Sequence, residues 1–330
     1  MRRKRIVCIG GGTGTFTALS GLKKYPVELT AIVSMTDSGG SNRVLRDEFG
    51  LLPTSDIRQC IVALASENGN ETLRKLFTYR YARGTGISGM SFGNLFMAAL
   101  TDIYGSQEKA IKKTCEILRV QGKVIPVTLN DSHLVARYDN GKQVMGEHYI
   151  DEPGEEIGQH RIVDLEIFPP AKANKEALYA IKAADLIVLG PGDLYTSIIS
   201  NLLVEDVASA IIRSKAKKVY IMNLMTKFGQ TQGFSAKDHL AELEKYLDDN
   251  AMDFCLINKA RSYPKGALTR YKEEQATPVK DDLISTKKLT VIRKSLSSKK
   301  IFDKPGSDKL KRSLVRHDSK KLANAIMSLL

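Results

Sequence analysis

Apolar and polar positions along the chain follow two periods in turn. Short, nearly continuous apolar runs, RIVCIG (5–10), VELTAIVSM (27–35), DLIVLG (185–190), KVYIMNL (218–224) and DFCLIN (253–258), predict buried strands. Between them lie stretches with helical spacing: FTALSGLKKY, SDIRQCIVALAS (55–66) with Ser55 or Asp56 as N-cap, NETLRKLFTYRY, GNLFMAALTDIYG, EKAIKKTCEILRV, NKEALYAIKAA, SIISNLLVEDVASAIIRS and SAKDHLAELEKYLDD. In the middle, KVIPVTLND, HLVARYDNGKQVMGEHYI and RIVDLEIFP are rich in β-branched residues, and Asn140-Gly141 marks a hairpin. Strand–helix alternation on both sides of this section predicts an α/β fold with a mostly parallel sheet covered on both faces. The β-rich section, about 123–168, is expected as a small antiparallel insertion. The whole chain, 1–330, reads as a single domain. A polar, basic, flexible segment at about 295–313 precedes a last helix, DSKKLANAIMSLL.

Three glycine loops follow strands. The first, IGGGTG (9–14), fits Gly10 and Gly12 to the first two places of the dinucleotide fingerprint but puts Thr15 in the third. It has no Lys-Ser/Thr ending and so is not a Walker loop. Its physics still suits an anion, because glycines admit a close approach and the next helix points free N–H groups at it. The second, TDSGGS (36–41), places Asp37 where an acid often holds a ribose, with Arg43 and Arg46 within reach of phosphate; an Asx-turn with surface arginines is the alternative. The third, GPGDLYTS (190–197), is a second strand–loop–helix anion site. Two such loops at the carboxyl ends of parallel strands would face one crevice.

Charge changes the picture little. The net charge is +13, with the excess concentrated in RRKR near the start and in 280–321, but no nucleic-acid-binding motif accompanies it. Cys8, Cys60, Cys115 and Cys255 form no C-x-x-C pair. No run approaches the ~18 apolar residues of a membrane span, and the apolar stretch after the basic start is shorter than a secretory signal needs. A cytoplasmic protein with no membrane span and no nucleic-acid partner is expected.

With MSFGNLFMAAL (90–100), SDIRQCIVALAS, PGDLYTSII, YIMNLMT and RYKEEQATPV added to the first two loops, the chain resembles the YvcK-type gluconeogenesis factors of the CofD-like superfamily. That superfamily also holds 2-phospho-L-lactate transferase. The resemblance runs from Ile6 to about Val279 and resumes at RHDSKKLANAI (316–326). It implies a Rossmann-like three-layer sandwich and a nucleotide in the crevice, with a UDP-sugar such as UDP-N-acetylglucosamine as ligand. It further implies a regulatory role in gluconeogenic carbon metabolism, cell-wall synthesis and cell shape, a protein partner there, and a homo-oligomer. A transferase acting on a nucleotide diphosphate is the alternative, and an NAD(P)-binding protein the second alternative. Carried over by motif, Gly11, Gly12, Thr13 and Gly14 would line the phosphates, and Asp37, Gly39 and Gly40 would sit near a ribose or metal. Asp56, Arg58 and Asn94 would face the same cleft. Gly190, Gly192, Tyr195 and Thr196 would form the second loop, Asn223 and Thr226 one wall, and Tyr271 and Arg316 C-terminal contacts. No cofactor is required on this reading, though Asp37 and Asp56 could hold Mg²⁺ on a diphosphate. No catalytic residue is assigned.

The chain departs from the usual pattern in several places. It has GGSNRVLR for GGSSGRLR, Ser55 for glycine, Met90 for histidine, Asp193 for serine and Ser200 for proline, and MTKFGQT for MTQPGET. The Asp193 carboxylate would repel phosphate unless a cation or Lys227 offsets it.

Overall fold

The computed structural model describes residues 2–66, 71–259, 263, 265–300 and 313–330. Seven strands form one parallel sheet: β1 (Arg5–Gly10), β2 (Glu28–Val33), β3 (Lys123–Pro126), β7 (Leu186–Leu189), β8 (Lys217–Ile221), β9 (Phe254–Asn258) and β10 (Thr290–Lys294), in the spatial order β10-β9-β8-β7-β1-β2-β3. The chain enters at β1, winds outward through β2 to β3, then returns to the other side of β1 and winds outward again from β7. The strand order therefore reverses between β1 and β7. In open α/β sheets, the crevice at such a point is where the carboxyl-end loops part. The central strands are apolar on both faces, and Ile6, Cys8, Ile9, Ile187, Val188 and Leu189 are fully buried.

The remaining strands, β4 (His133–Tyr138), β5 (Gln143–Met145) and β6 (Ile162–Phe168), form a separate antiparallel sheet in the order β5-β4-β6. Its hairpin turns at Asn140-Gly141, where Gly141 takes φ +81 and its N–H donates to the Tyr138 carbonyl at 2.9 Å. The insertion is shorter than the sequence suggests. Lys123–Pro126 pairs in parallel with β2 as the edge strand of the main sheet, because Val124, Ile125 and Val127 are buried in the main core. An edge position also suits Pro126, which has no N–H to donate.

The stretch 197–214, expected as one helix, is broken. A π-helical turn spans Leu194–Ile199, and the helix Val207–Arg213 starts only after Asp206, which takes φ +70. Helix α1 (Gly12–Leu22) follows β1, α2 (Gly40–Phe49) follows β2, and α3 (Ser55–Leu64) comes next. The last helix, Ser319–Met327, packs on α1 so closely that a Cβ on Gly21 would lie 2.1 Å from the Ser319 carbonyl oxygen. Most of the segment expected to be loop-like, 295–313, lies outside the described residues. Its two flanks are joined, since Ser297 and His317 form an antiparallel bridge and the Ser298 N–H donates to the Arg316 carbonyl at 2.8 Å.

Candidate functional site

A cavity of about 290 Å³ opens at the carboxyl ends of β1, β2, β7 and β8. The first glycine loop forms its floor. Gly11 is the extended N-cap of α1 and Gly12 takes φ +63. This loop touches the loop after β7: a Cβ on Gly14 would lie 2.1 Å from the Pro191 carbonyl oxygen. The second loop is braced by Asn223, whose Nδ2 donates to the Gly192 carbonyl at 2.9 Å. The two strand–loop–helix crossings thus meet at the reversal of strand order. Helix termini opening into such a crevice are general anion sites.

The structure brings Gly11, Gly12, Thr13, Gly14, Asp37, Gly39, Asp56, Gly192, Thr196, Asn223, Thr226, Tyr271 and Arg316 together around the cavity. Asp37 is held in an Asx-turn, its carboxylate accepting from the Gly39 N–H at 2.9 Å and from Asn42 Nδ2 at 2.6 Å. Asp56 stands against the first loop, where a Cβ on Gly11 would lie 2.2 Å from its Oδ2. Tyr271 accepts the backbone N–H groups of Leu314 (3.0 Å) and Val315 (3.2 Å), and so fixes the segment that carries Arg316.

Five expected residues do not line the cavity. Gly40 and Gly190 supply positive φ, +51 and +80, beside it. Tyr195 is buried behind it, its hydroxyl pushed up in pKa by burial and by nearby Glu242. Arg58 and Asn94 form an inner frame: Arg58 Nε donates to Asn94 Oδ1 at 3.0 Å, and Asn94 Nδ2 donates to the hydroxyls of Ser41 (3.0 Å) and Ser55 (3.1 Å). Ser55 in turn donates to Asn42 Oδ1 at 3.0 Å, so the network ends on Asp37 and fixes its orientation. Arg43 and Arg46 also miss the cavity. Arg46 donates to the Ser132 carbonyl at 3.0 Å, and Arg43 pairs with Asp47.

One wall escaped the sequence reading. The helix Glu147–Asp151, carried by the antiparallel sheet, brings Glu147, His148 and Asp151 into the cavity. The i,i+4 spacing of its two acids was the available signal. Lys227 Nζ bonds to Asp151 Oδ1 at 2.5 Å and to Asp193 Oδ2 at 2.9 Å, so Lys227 does offset the Asp193 carboxylate. Thr196 Oγ1 (3.1 Å) and Gln230 Nε2 (3.0 Å) also donate to Asp151. Burial alone would raise the Asp151 carboxyl, but Lys227 and these donors hold it below its ordinary value. Asp193 is raised, because burial outweighs Lys227. Burial would lower Lys227, yet the two carboxylates keep it charged and raise it.

Burial, with Asp37 and Asp151 close by, pushes Glu147 well above its ordinary 4.5. Between 4.5 and that raised value the folded protein keeps a proton that the unfolded chain gives up. Stability of the ligand-free protein therefore falls as pH rises across this window, by up to about 1.4 kcal/mol per pH unit. Glu147→Gln removes the decline. Thermal melts of the two proteins are expected to coincide near pH 4 and to separate in favour of the variant towards about pH 8. Parallel pH profiles would contradict the assignment.

Among the described residues, seven acidic side chains line the cavity, those of Asp37, Asp56, Glu147, Asp151, Glu152, Asp193 and Glu274, against the permanent cations Lys227 and Arg316. The described walls are thus acidic even with Glu147 protonated, in a chain of net charge +13.

A doubly wound α/β protein with its cleft at the switch point is one of a broad class, and sequence comparison narrows it. Residues 6–297 match the family described as 2-phospho-L-lactate transferase CofD. The chain is 44% identical to the "Putative gluconeogenesis factor" of Thermoanaerobacterium thermosulfurigenes, over 99% of this chain and 97% of that protein. It is 36% identical to the "Gluconeogenesis factor" of Bacillus subtilis (strain 168), over 100% of this chain and 99% of that one. A crystal structure of a Bacillus halodurans protein superposes with a TM-score of 0.89 at 35% identity, covering 99% of this chain and all of that one. The chain belongs to the CofD-like family and, within it, to the gluconeogenesis factors. Among the described residues no helix is long and apolar enough to cross a membrane.

Proposed function

We propose that the cleft binds a nucleotide sugar, of the UDP-N-acetylglucosamine type, and that the protein acts as a ligand-responsive factor in gluconeogenic carbon metabolism and cell-wall synthesis. The observation that carries this reading is the contact between the two glycine loops at the switch point. It closes one crevice in which the N-terminus of α1 offers backbone N–H groups to a diphosphate and the loop after β7 bounds the space beside it. The names of the relatives support the metabolic role. Among the described residues, the cavity lining offers no nucleophile–base pair of the kind that covalent catalysis uses.

The second reading is transfer of a phosphorus-linked group from a nucleotide diphosphate. It is favoured by the match to 2-phospho-L-lactate transferase and by Asp37 and Asp56 lining one cavity, where they would hold Mg²⁺ on the diphosphate. Calorimetric titration with UDP-N-acetylglucosamine, NAD⁺ and GDP, each with and without Mg²⁺, tests both. Selective binding of the UDP-sugar with the nucleotide recovered intact supports the first. Mg²⁺-dependent breakdown of a nucleotide supports the second, and preference for NAD⁺ overturns both.

A further inference from the structure

Hydrogen-bonding capacity is unevenly shared between the two halves of the cleft. On the β1 side, the lining offers the N–H groups of the first glycine loop and the Thr13 hydroxyl. On the β7–β8 side, among the described residues, two buried side-chain acceptors stand without a partner. Asn223 uses its Nδ2 on Gly192, and its Oδ1 is buried without a partner. His317 is 7% exposed and lines the cleft, and its Nε2 is buried without a partner. Burial drives the imidazole down to about 4, against a weaker opposing pull from the Met222 carbonyl. It is therefore neutral at physiological pH. Asp151 and Asp193 add carboxylate lone pairs left over from their bonds to Lys227. The ammonium has three N–H donors and spends two on these carboxylates, while its side chain remains 31% exposed at the cavity. One donor is left for a ligand, held in direction by the other two.

A phosphate brings acceptors alone and cannot satisfy the buried Asn223 Oδ1 and His317 Nε2. A sugar hydroxyl can, since each brings one O–H donor for such an acceptor and lone pairs for the remaining Lys227 N–H, without charge. We propose that the β7–β8 half of the cleft is the glycosyl subsite, and that Lys227, set by Asp151 and Asp193, is its specificity-determining residue. This assignment rests on the nucleotide-sugar reading of the same cleft. It orients the ligand with its diphosphate towards the first glycine loop and its sugar towards Asn223, Lys227 and His317.

The test compares UDP-N-acetylglucosamine with UDP by calorimetry, in wild type and in two variants. Lys227→Met removes the donor. Lys227→Gln combined with Asp193→Asn also removes the ammonium but keeps the charge balance, which protects the fold if the single variant is unstable. The preference of the wild type for the sugar nucleotide over UDP is expected to fall about tenfold in either variant, the worth of a charge-assisted hydrogen bond. A fall in both affinities by the same factor overturns the proposal, because Lys227 then serves the phosphates. An unchanged preference overturns it as well. Failure of the wild type to bind either nucleotide removes the parent reading and the subsite with it.

Discussion

Gly14→Ala is expected to weaken nucleotide-sugar binding about a hundredfold and to destabilise the protein. The added Cβ would stand 2.1 Å from the Pro191 carbonyl oxygen, 2.5 Å from its carbon and 3.0 Å from the Gly192 nitrogen. All three are backbone atoms, so no side chain can rotate away. The two loops have to part by roughly 1 Å to restore van der Waals distance. A shift of that size in a preorganised site costs about a hundredfold in affinity. Overpacking of this kind costs about 1–3 kcal/mol in stability. Gly154→Ala is the control, because its Cβ meets nothing within 4 Å. Calorimetry and thermal melts of the two variants check the result. Equal behaviour would show that contact between the loops is not needed for binding.

Chelation of divalent cations is expected to weaken binding of UDP-N-acetylglucosamine by about two orders of magnitude. Among the described residues seven acidic side chains face Lys227 and Arg316 in the cleft, Lys227 is committed to two of them, and the acids stay in excess even with Glu147 protonated. A diphosphate adds further negative charge. At the effective dielectric of a protein cleft, one pair of like charges about 4 Å apart costs about 4 kcal/mol, so an added cation has to supply the balance. On the proposed reading Asp37, held by Gly39 and Asn42, and Asp56, which lines the same cavity, would hold Mg²⁺ on the diphosphate. Mg²⁺ often uses one or two carboxylates together with phosphate and water. Titrations in EDTA and in Mg²⁺ measure the effect, and Asp56→Asn should reduce the difference between them. Affinity indifferent to EDTA would mean that the cleft is not built for a polyphosphate.

The parallel sheet was legible in the sequence because its strands are buried on both faces and read as unbroken apolar runs such as LIVL (186–189). The glycine loops were legible because close backbone approach leaves a compositional mark at Gly14 and Gly192. Two kinds of information were not. Arg58 and Asn94 carry the polar signature of site residues, yet they spend their hydrogen bonds on Phe77, Ser41 and Ser55; burial of a polar network cannot be told from exposure to a ligand by residue type. Glu147 and Asp151 lie more than a hundred residues from the first loop and reach the cleft on the helix that follows β5, which pairs with β4. The spacing of the two acids is a local signal, but it does not show which surface the fold brings them to, so the segment reads as a continuation of the hairpin.

The antiparallel sheet divides the molecule's burden unequally. The glycine loops and the strands behind them are constrained from every side by the core. The excursion from 133 to 168 packs Leu134, Ala136, Ile150 and Leu165 into the core and leaves Met145, Tyr149, Val163 and Phe168 exposed. It nevertheless supplies an entire wall of the cleft. Substitutions there can redraw what the pocket accepts while the foundation stays untouched. The insertion is therefore where a lineage can exchange one small molecule for another without rebuilding the fold.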